Sequence, residues 1–194
     1  MNRKTVKKIR KIYIFFSILL GIISPLIYLF FFPEFDPRKE PVSYFGTQDS
    51  TSLFFTFSLI IFSTALLWNG LKIIRNFIKR KKFKPILKVT LITSSISLIL
   101  TGIIPMNYNI LHEIPALCFF LTYNFFVFFF GLIRSLSYVR RGLFSVITGS
   151  LMLLSALLLI PFSSYGVSEL VYLFLLIFWN TIMWRRKKLI IKKR

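Results

Sequence analysis

The chain is poor in the residues that most chemistry needs. It has one histidine, one cysteine and six acids among 194 residues. A lone cysteine, Cys118, forms no intrachain disulfide and no cysteine-based metal site. One histidine supplies at most one axial ligand of that kind, which disfavours a redox haem. The histidine spacing of zinc motifs is absent. So is a strained G-x-S-x-G turn, the usual seat of a nucleophilic serine. No N-x-[ST] sequon occurs, so glycosylation offers no clue to compartment. No charge lies near the centre of any long apolar run, which disfavours a small transporter or channel.

What the chain does have is apolar length and one sign of charge. It is 56% hydrophobic with a net charge of +20. A soluble domain, nearer 45–50% apolar by roughly the usual composition, does not hide that much apolar surface. The excess positive charge raises nucleic-acid binding as a class. That class is set aside, because the basic residues sit in short clusters between apolar runs and have no solvated platform.

A bilayer core about 30 Å thick needs roughly 20 apolar residues in a helix. Six runs meet that length: Ile12–Phe32, Ser52–Ile74, Ile86–Ile104, Ile114–Ile133, Gly142–Phe162 and Glu169–Trp184. The first has a basic start like a signal peptide. It is too long for an h-region, and Pro33, Glu34 and Phe35 follow it in place of a small-residue cleavage site. The expectation is therefore an all-α, polytopic membrane protein. A basic tail (1–11) leads into a six-helix transmembrane bundle (12–184), and a second basic tail (185–194) follows.

Charge orients the bundle. Of the 26 basic residues, 24 fall in the amino-terminal tail, the second and fourth connections and the carboxyl tail. All six acids fall on the opposite side, with only Arg38 and Lys39 for company. By the positive-inside rule both termini are expected in the cytoplasm and the acids outside. Prolines 33, 37, 41, 105, 115 and 161 agree, all at outer ends or loops, with Pro115 expected in the first turn of the fourth span. Pro25 is expected to bend the first span. The connection Pro33–Thr51 is the longest outer one and is expected to cover the bundle.

Polar residues inside the spans favour packing. Thr90, Ser94, Ser97 and Thr101 make one small stripe; Gly142, Ser145, Gly149 and Ala156 make another. Small residues let helices approach closely in lipid. Asn124 follows Glu113 by eleven residues, and Asn180 follows Glu169 by eleven. That is close to three helical turns, so each pair shares a face, with an acid at the mouth and an amide deeper, though ordinary interhelical hydrogen bonding is the favoured reading of both amides.

The candidate site is the polar break around Thr101–Phe120, which holds His112 beside Glu113. Other outer polar groups are Ser43, Tyr44, Gln48, Asp49, Asn107, Tyr108, Asn109, Tyr165 and Glu169. Three readings stand. Ser43 and His112 with an acid (Glu113, Glu169 or Asp49) have the residue types of a hydrolase or acyltransferase. His112 with Glu113, Asp49 or Glu169 has metal-ligating types, but adjacent residues on a helix point about 100° apart and chelate poorly. Third, the same groups tie loops to helix ends, with Glu113 favoured at a helix amino terminus. No metal and no cofactor is expected.

Three short motifs lie in order on this frame: Ser43-Tyr44-Phe45-Gly46, Gly102 to Pro105 followed by His112, and Gly166 to Glu169. They resemble the domain of unknown function 998 family, whose layout is similar to the six-helix DRAM/Frag/Sfk-like membrane proteins. The resemblance covers about Ile12 to Trp184. Tyr44-Phe45 stands where a more polar pair is often found. The resemblance implies a lipid-related role. The expectation is a protein that binds or organises membrane lipid at an outer mouth formed by Ser43, Gly46, His112, Glu113, Asn124 and Glu169. A membrane-embedded lipid hydrolase or acyltransferase is the alternative, and a small transporter the third reading. The expected partners are membrane lipids, with anionic headgroups at the basic clusters, in the cell membrane.

Overall fold

The computed structural model describes Thr5, Ile12, Tyr13, Phe16, Ser17, Tyr28 and Phe30, then residues 32–191, the side chains at 141 and 186–191 excepted. The expected first span Ile12–Phe32, its bend at Pro25 and the tail 1–11 fall almost wholly outside the described residues. Among the described residues there is no strand. Five long helices follow one another: α1 (Ser52–Phe77), α2 (Lys84–Ile103), α3 (Ile110–Ser135), α4 (Val139–Leu154) and α5 (Gly166–Ile191). Each has a stretch long and apolar enough to cross a membrane, which for α4 includes the 3₁₀ turn Ser155–Leu159 that continues it. They correspond to the second to sixth expected spans.

Two boundaries differ from expectation in ways that matter. Helix α3 starts at Ile110, four residues before the expected Ile114. Asn109 takes a positive φ of 46° and its carbonyl accepts the His112 and Glu113 N–H groups at 2.9 and 3.0 Å. That reversal starts the helix inside what reads as a polar loop. His112 and Glu113 therefore sit in the first turn of α3, and Pro115 lies inside the helix, one turn further in than expected. Proline lacks the N–H that would bond the carbonyl of Leu111. At the other end, α5 runs on to Ile191, through residues expected in the basic tail.

The helices pack mainly on their sequence neighbours, α3 on α4 most closely. Close approach there rests on glycine. A Cβ built on Gly131 would lie 2.6 Å from the Val146 nitrogen, so the two backbones touch at this crossing. Gly142 and Gly149 lie against α3 as well, while Ala156 at the end of the expected stripe is exposed. Ser145 turns the other way and accepts the Trp179 indole N–H at 2.9 Å. On α2, Ser94, Ser97 and Thr101 are buried as a packing face, but the bonds to α1 come from elsewhere. Ser63 donates to the Ser95 carbonyl at 2.7 Å, and Thr56 donates to the Gly102 carbonyl at 2.6 Å.

Large aromatic rings fill the wider gap between α3 and α5. Trp179, fully buried, meets Phe126 and Phe130 edge-on, each with ring centroids 5.8 Å away. The next residue, Asn180, is the centre of a buried polar hub. Asn69 of α1 donates to the Asn180 amide oxygen at 3.0 Å, and Asn180 donates to the Tyr123 hydroxyl at 2.7 Å and to the Leu176 carbonyl at 2.9 Å. Three helices are thus cross-linked through Asn180. Asn180→Leu is expected to destabilise by about 1–2 kcal/mol, the upper range for interhelical bonds in bilayers. Reversible unfolding in mixed micelles measures this, and adding Asn69→Leu should recover part of the loss by removing the stranded amide.

The two ends of the bundle are chemically opposite. The segment 33–51 and the α2–α3 and α4–α5 connections share one end with all six acids. The α1–α2 and α3–α4 connections share the other, where Lys79 donates to the Tyr138 hydroxyl at 3.1 Å and the buried Arg134 guanidinium lies 4.1 Å from the centre of the Phe77 ring.

Candidate functional site

At the acidic end the segment 33–51 is pinned, not loose. It carries an apolar knot in which Phe45, buried, stacks on Tyr28 at 4.4 Å and meets Phe35 at 4.6 Å. The 3₁₀ turn Val42–Gly46 follows Pro41, and Gly46 lies against the Phe55 ring, where a Cβ would approach to 2.9 Å. Thr51 ties the turn down by donating to the Phe45 carbonyl at 2.7 Å.

The same segment is stitched to the start of α5. The Val167 N–H donates to the Pro37 carbonyl at 3.1 Å, and Ser163 donates to the Arg38 carbonyl at 2.9 Å. The Val42 N–H donates to Glu169 Oε2 at 2.6 Å. Gly166 makes this possible. A Cβ there would lie 2.2 Å from the Glu40 carbonyl oxygen and 2.6 Å from that of Pro37. The Gly166-to-Glu169 motif is therefore a docking device: glycine for contact, glutamate for the bond.

Between these pieces and α3 lies a cleft of about 270 Å³. Its polar lining comes from Ser43, His112, Glu113, Tyr165 and Glu169. Its apolar lining includes Ile110, Ile114, Leu117 and Phe120 of α3. The structure thus brings together five residues from three separate segments. His112 is buried, and its Nδ1 lies 2.5 Å from the Ile104 carbonyl oxygen, so that nitrogen carries the proton. No hydrogen bond to Nε2 forms among the described residues. The Ser43 hydroxyl points at the Met106 sulfur, 3.5 Å away.

Other expected members lie elsewhere. Asp49 is exposed in the turn before α1 and does not line the cleft; Tyr44, Gln48, Asn107, Tyr108 and Asn109 do not line it either. Gly46 supports the wall from behind. Asn124 does not line the cleft: it is buried against α4, where its amide, turned to match its neighbours, donates to the Gly149 carbonyl at 2.9 Å and accepts the Leu153 N–H at 3.2 Å. It enters the last turn of α4, just where the α-helix tightens to 3₁₀. Spacing put Asn124 and Glu113 near one face, but that face meets the cleft at one level and α4 at the next. Reasoning from sequence missed Pro41 and Met106 as cleft residues, and it missed Asn69, whose only signal was an amide inside an apolar run.

Five apolar helices, a charge-segregated pair of ends and a cleft at the acidic end define a multi-pass helical membrane protein. The chain matches the family model described as "Protein of unknown function (DUF998)" over residues 16–186, and it belongs to that family. No curated protein and no solved structure matches it.

Proposed function

We propose that this protein binds a membrane lipid in the cleft, with the headgroup among Ser43, His112, Glu113, Tyr165 and Glu169 and an acyl chain along α3. One observation carries this reading. The cleft's apolar side is continuous with the exposed face of the bundle: Ile110, Ile114 and Leu117 line the cleft, yet are 67%, 61% and 60% exposed. A site that is polar at one level and open to the hydrocarbon at the next matches the two-part chemistry of a lipid.

The charge division supports an outward-facing mouth, with both termini cytoplasmic, a first span completing six helices, and residence in the cell membrane. The inner basic clusters, such as Lys79–Lys88, then face anionic headgroups of the inner leaflet. Binding is favoured over hydrolysis because the Ser43 hydroxyl is turned to Met106 and the His112 Nδ1–H to a backbone carbonyl, the position an orienting acid holds in a triad. Transport is disfavoured because Asn124 and Asn180, the amides along the spans, are consumed in helix packing.

Lipid mass spectrometry of the purified protein tests the reading. Wild type is expected to retain lipid that Ala116→Trp, which fills the cleft, expels, and that His112→Ala retains less of. Identical lipid content and profile in all three sinks the proposal.

A further inference from the structure

The cleft is built almost wholly of acceptors. Glu113 and Glu169 present carboxyl groups, and His112 presents Nε2, which no described residue bonds. Ser43 and Tyr165 add hydroxyls, which accept as readily as they donate. Among the described residues no lysine or arginine lines the cleft. The two basic residues of this end lie outside it, Lys39 beside Asp36 at 4.0 Å.

Several backbone N–H groups around the cleft are already bonded. Helix amino termini usually supply free N–H groups. Here the His112 and Glu113 N–H groups bond the Asn109 carbonyl. At the start of α5, the Gly166 N–H goes to the Ser164 hydroxyl and the Val167 N–H to Pro37. The Glu169 N–H goes to Tyr165, and the Val42 N–H is held by Glu169 itself. An anionic headgroup entering this cleft would meet two carboxyl groups and no described lysine or arginine.

Resting on the lipid-binding reading above, we propose that the cleft selects lipids whose headgroup ends in a protonated amine. An ammonium carries three donors and no acceptor, which is the complement of this lining. The volume, about 270 Å³, suits a compact headgroup with the chains left along Ile114 and Leu117. Glu169 holds the site's shape through Oε2, bonded to the Val42 N–H, and its carboxyl lines the cleft. Glu113, exposed at the rim, is the first charge an approaching headgroup meets.

The test is a competition. Full-length protein in detergent is incubated with equimolar phosphatidylethanolamine, phosphatidylglycerol and diacylglycerol of identical acyl chains, then washed and its retained lipid weighed by mass spectrometry. Wild type is expected to favour phosphatidylethanolamine over phosphatidylglycerol by about fivefold, the ratio one partly screened ion pair supplies. Glu113→Gln is expected to reduce that ratio and Glu113→Gln with Glu169→Gln to abolish it. Glutamine at 169 still accepts the Val42 N–H, so the wall is kept. If the double variant fails to fold, Glu113→Gln alone decides. Phosphatidylglycerol or diacylglycerol retained as well as phosphatidylethanolamine by wild type overturns the amine preference alone. Retention of all three that ignores Ala116→Trp overturns the binding reading beneath it.

Discussion

Replacing Trp179 by alanine is expected to cost about 3 kcal/mol. The side chain is fully buried and fills the space between α3 and α5, where it meets Phe126 and Phe130. Helices that have come apart still lie in hydrocarbon, so the transfer term is smaller than in a soluble core. The cavity term remains, because helices held elsewhere collapse only in part and the surrounding rings lose their contacts. The indole N–H bond to Ser145 is lost as well. Trp179→Phe separates the two effects. It keeps most of the ring and loses the bond, and is expected to cost about 1 kcal/mol. Reversible unfolding in mixed micelles measures both. A Trp179→Ala protein as stable as wild type would mean that the aromatic layer does not hold α5 to the bundle.

The second large effect is expected at Gly166. Valine there puts a Cβ within contact distances of two backbone carbonyls, those of Glu40 and Pro37, and neither can swing aside as a side chain does. The segment must lift off α5, and it takes the Val167–Pro37, Ser163–Arg38 and Val42–Glu169 bonds with it. The bundle itself does not depend on these contacts, so the damage is local. Global unfolding should shift little, while protease cleavage between residues 36 and 42 should become rapid. Retention of cleft-bound lipid should fall about tenfold, since binding would then have to order the wall as well. Glu169→Gln is the control, keeping an acceptor for Val42 and the wall in place. A Gly166→Val protein with a protected segment would show that the docking seen here is not what builds the mouth.

The spans were legible in the sequence because length and hydropathy are local properties. Five of the six apolar runs are helices at the expected places. The ends were less legible. Asn107, Tyr108 and Asn109 read as a loop that extends through His112, because polar residues at a helix start look like any other polar break. Only the positive φ of Asn109 turns the chain early enough to put His112 in the helix. Charge assigned Ser43, His112, Glu113, Tyr165 and Glu169 to one end together with Tyr44, Gln48, Asp49, Asn107, Tyr108 and Asn109, and it did not tell which of them line the cleft. The Asn69–Asn180–Tyr123 hub was not legible, because its members come from three helices and hydropathy ranks each as an isolated blemish. Asn124 failed for a related reason. Helical spacing tells which residues share a face, but not which neighbour that face meets at each depth.

The central claim is that a lipid lies in the cleft against α3. Photo-cross-linking from within the lipid tests it most directly. A phosphatidylethanolamine carrying a diazirine on one acyl chain is reconstituted with the protein, irradiated, and the adducts mapped by peptide mass spectrometry. The account predicts adducts concentrated at Ile110, Ile114 and Leu117, lost on Ala116→Trp. Adducts spread evenly over exposed apolar residues of other helices, such as Phe57 or Phe174, and indifferent to that substitution, would contradict it.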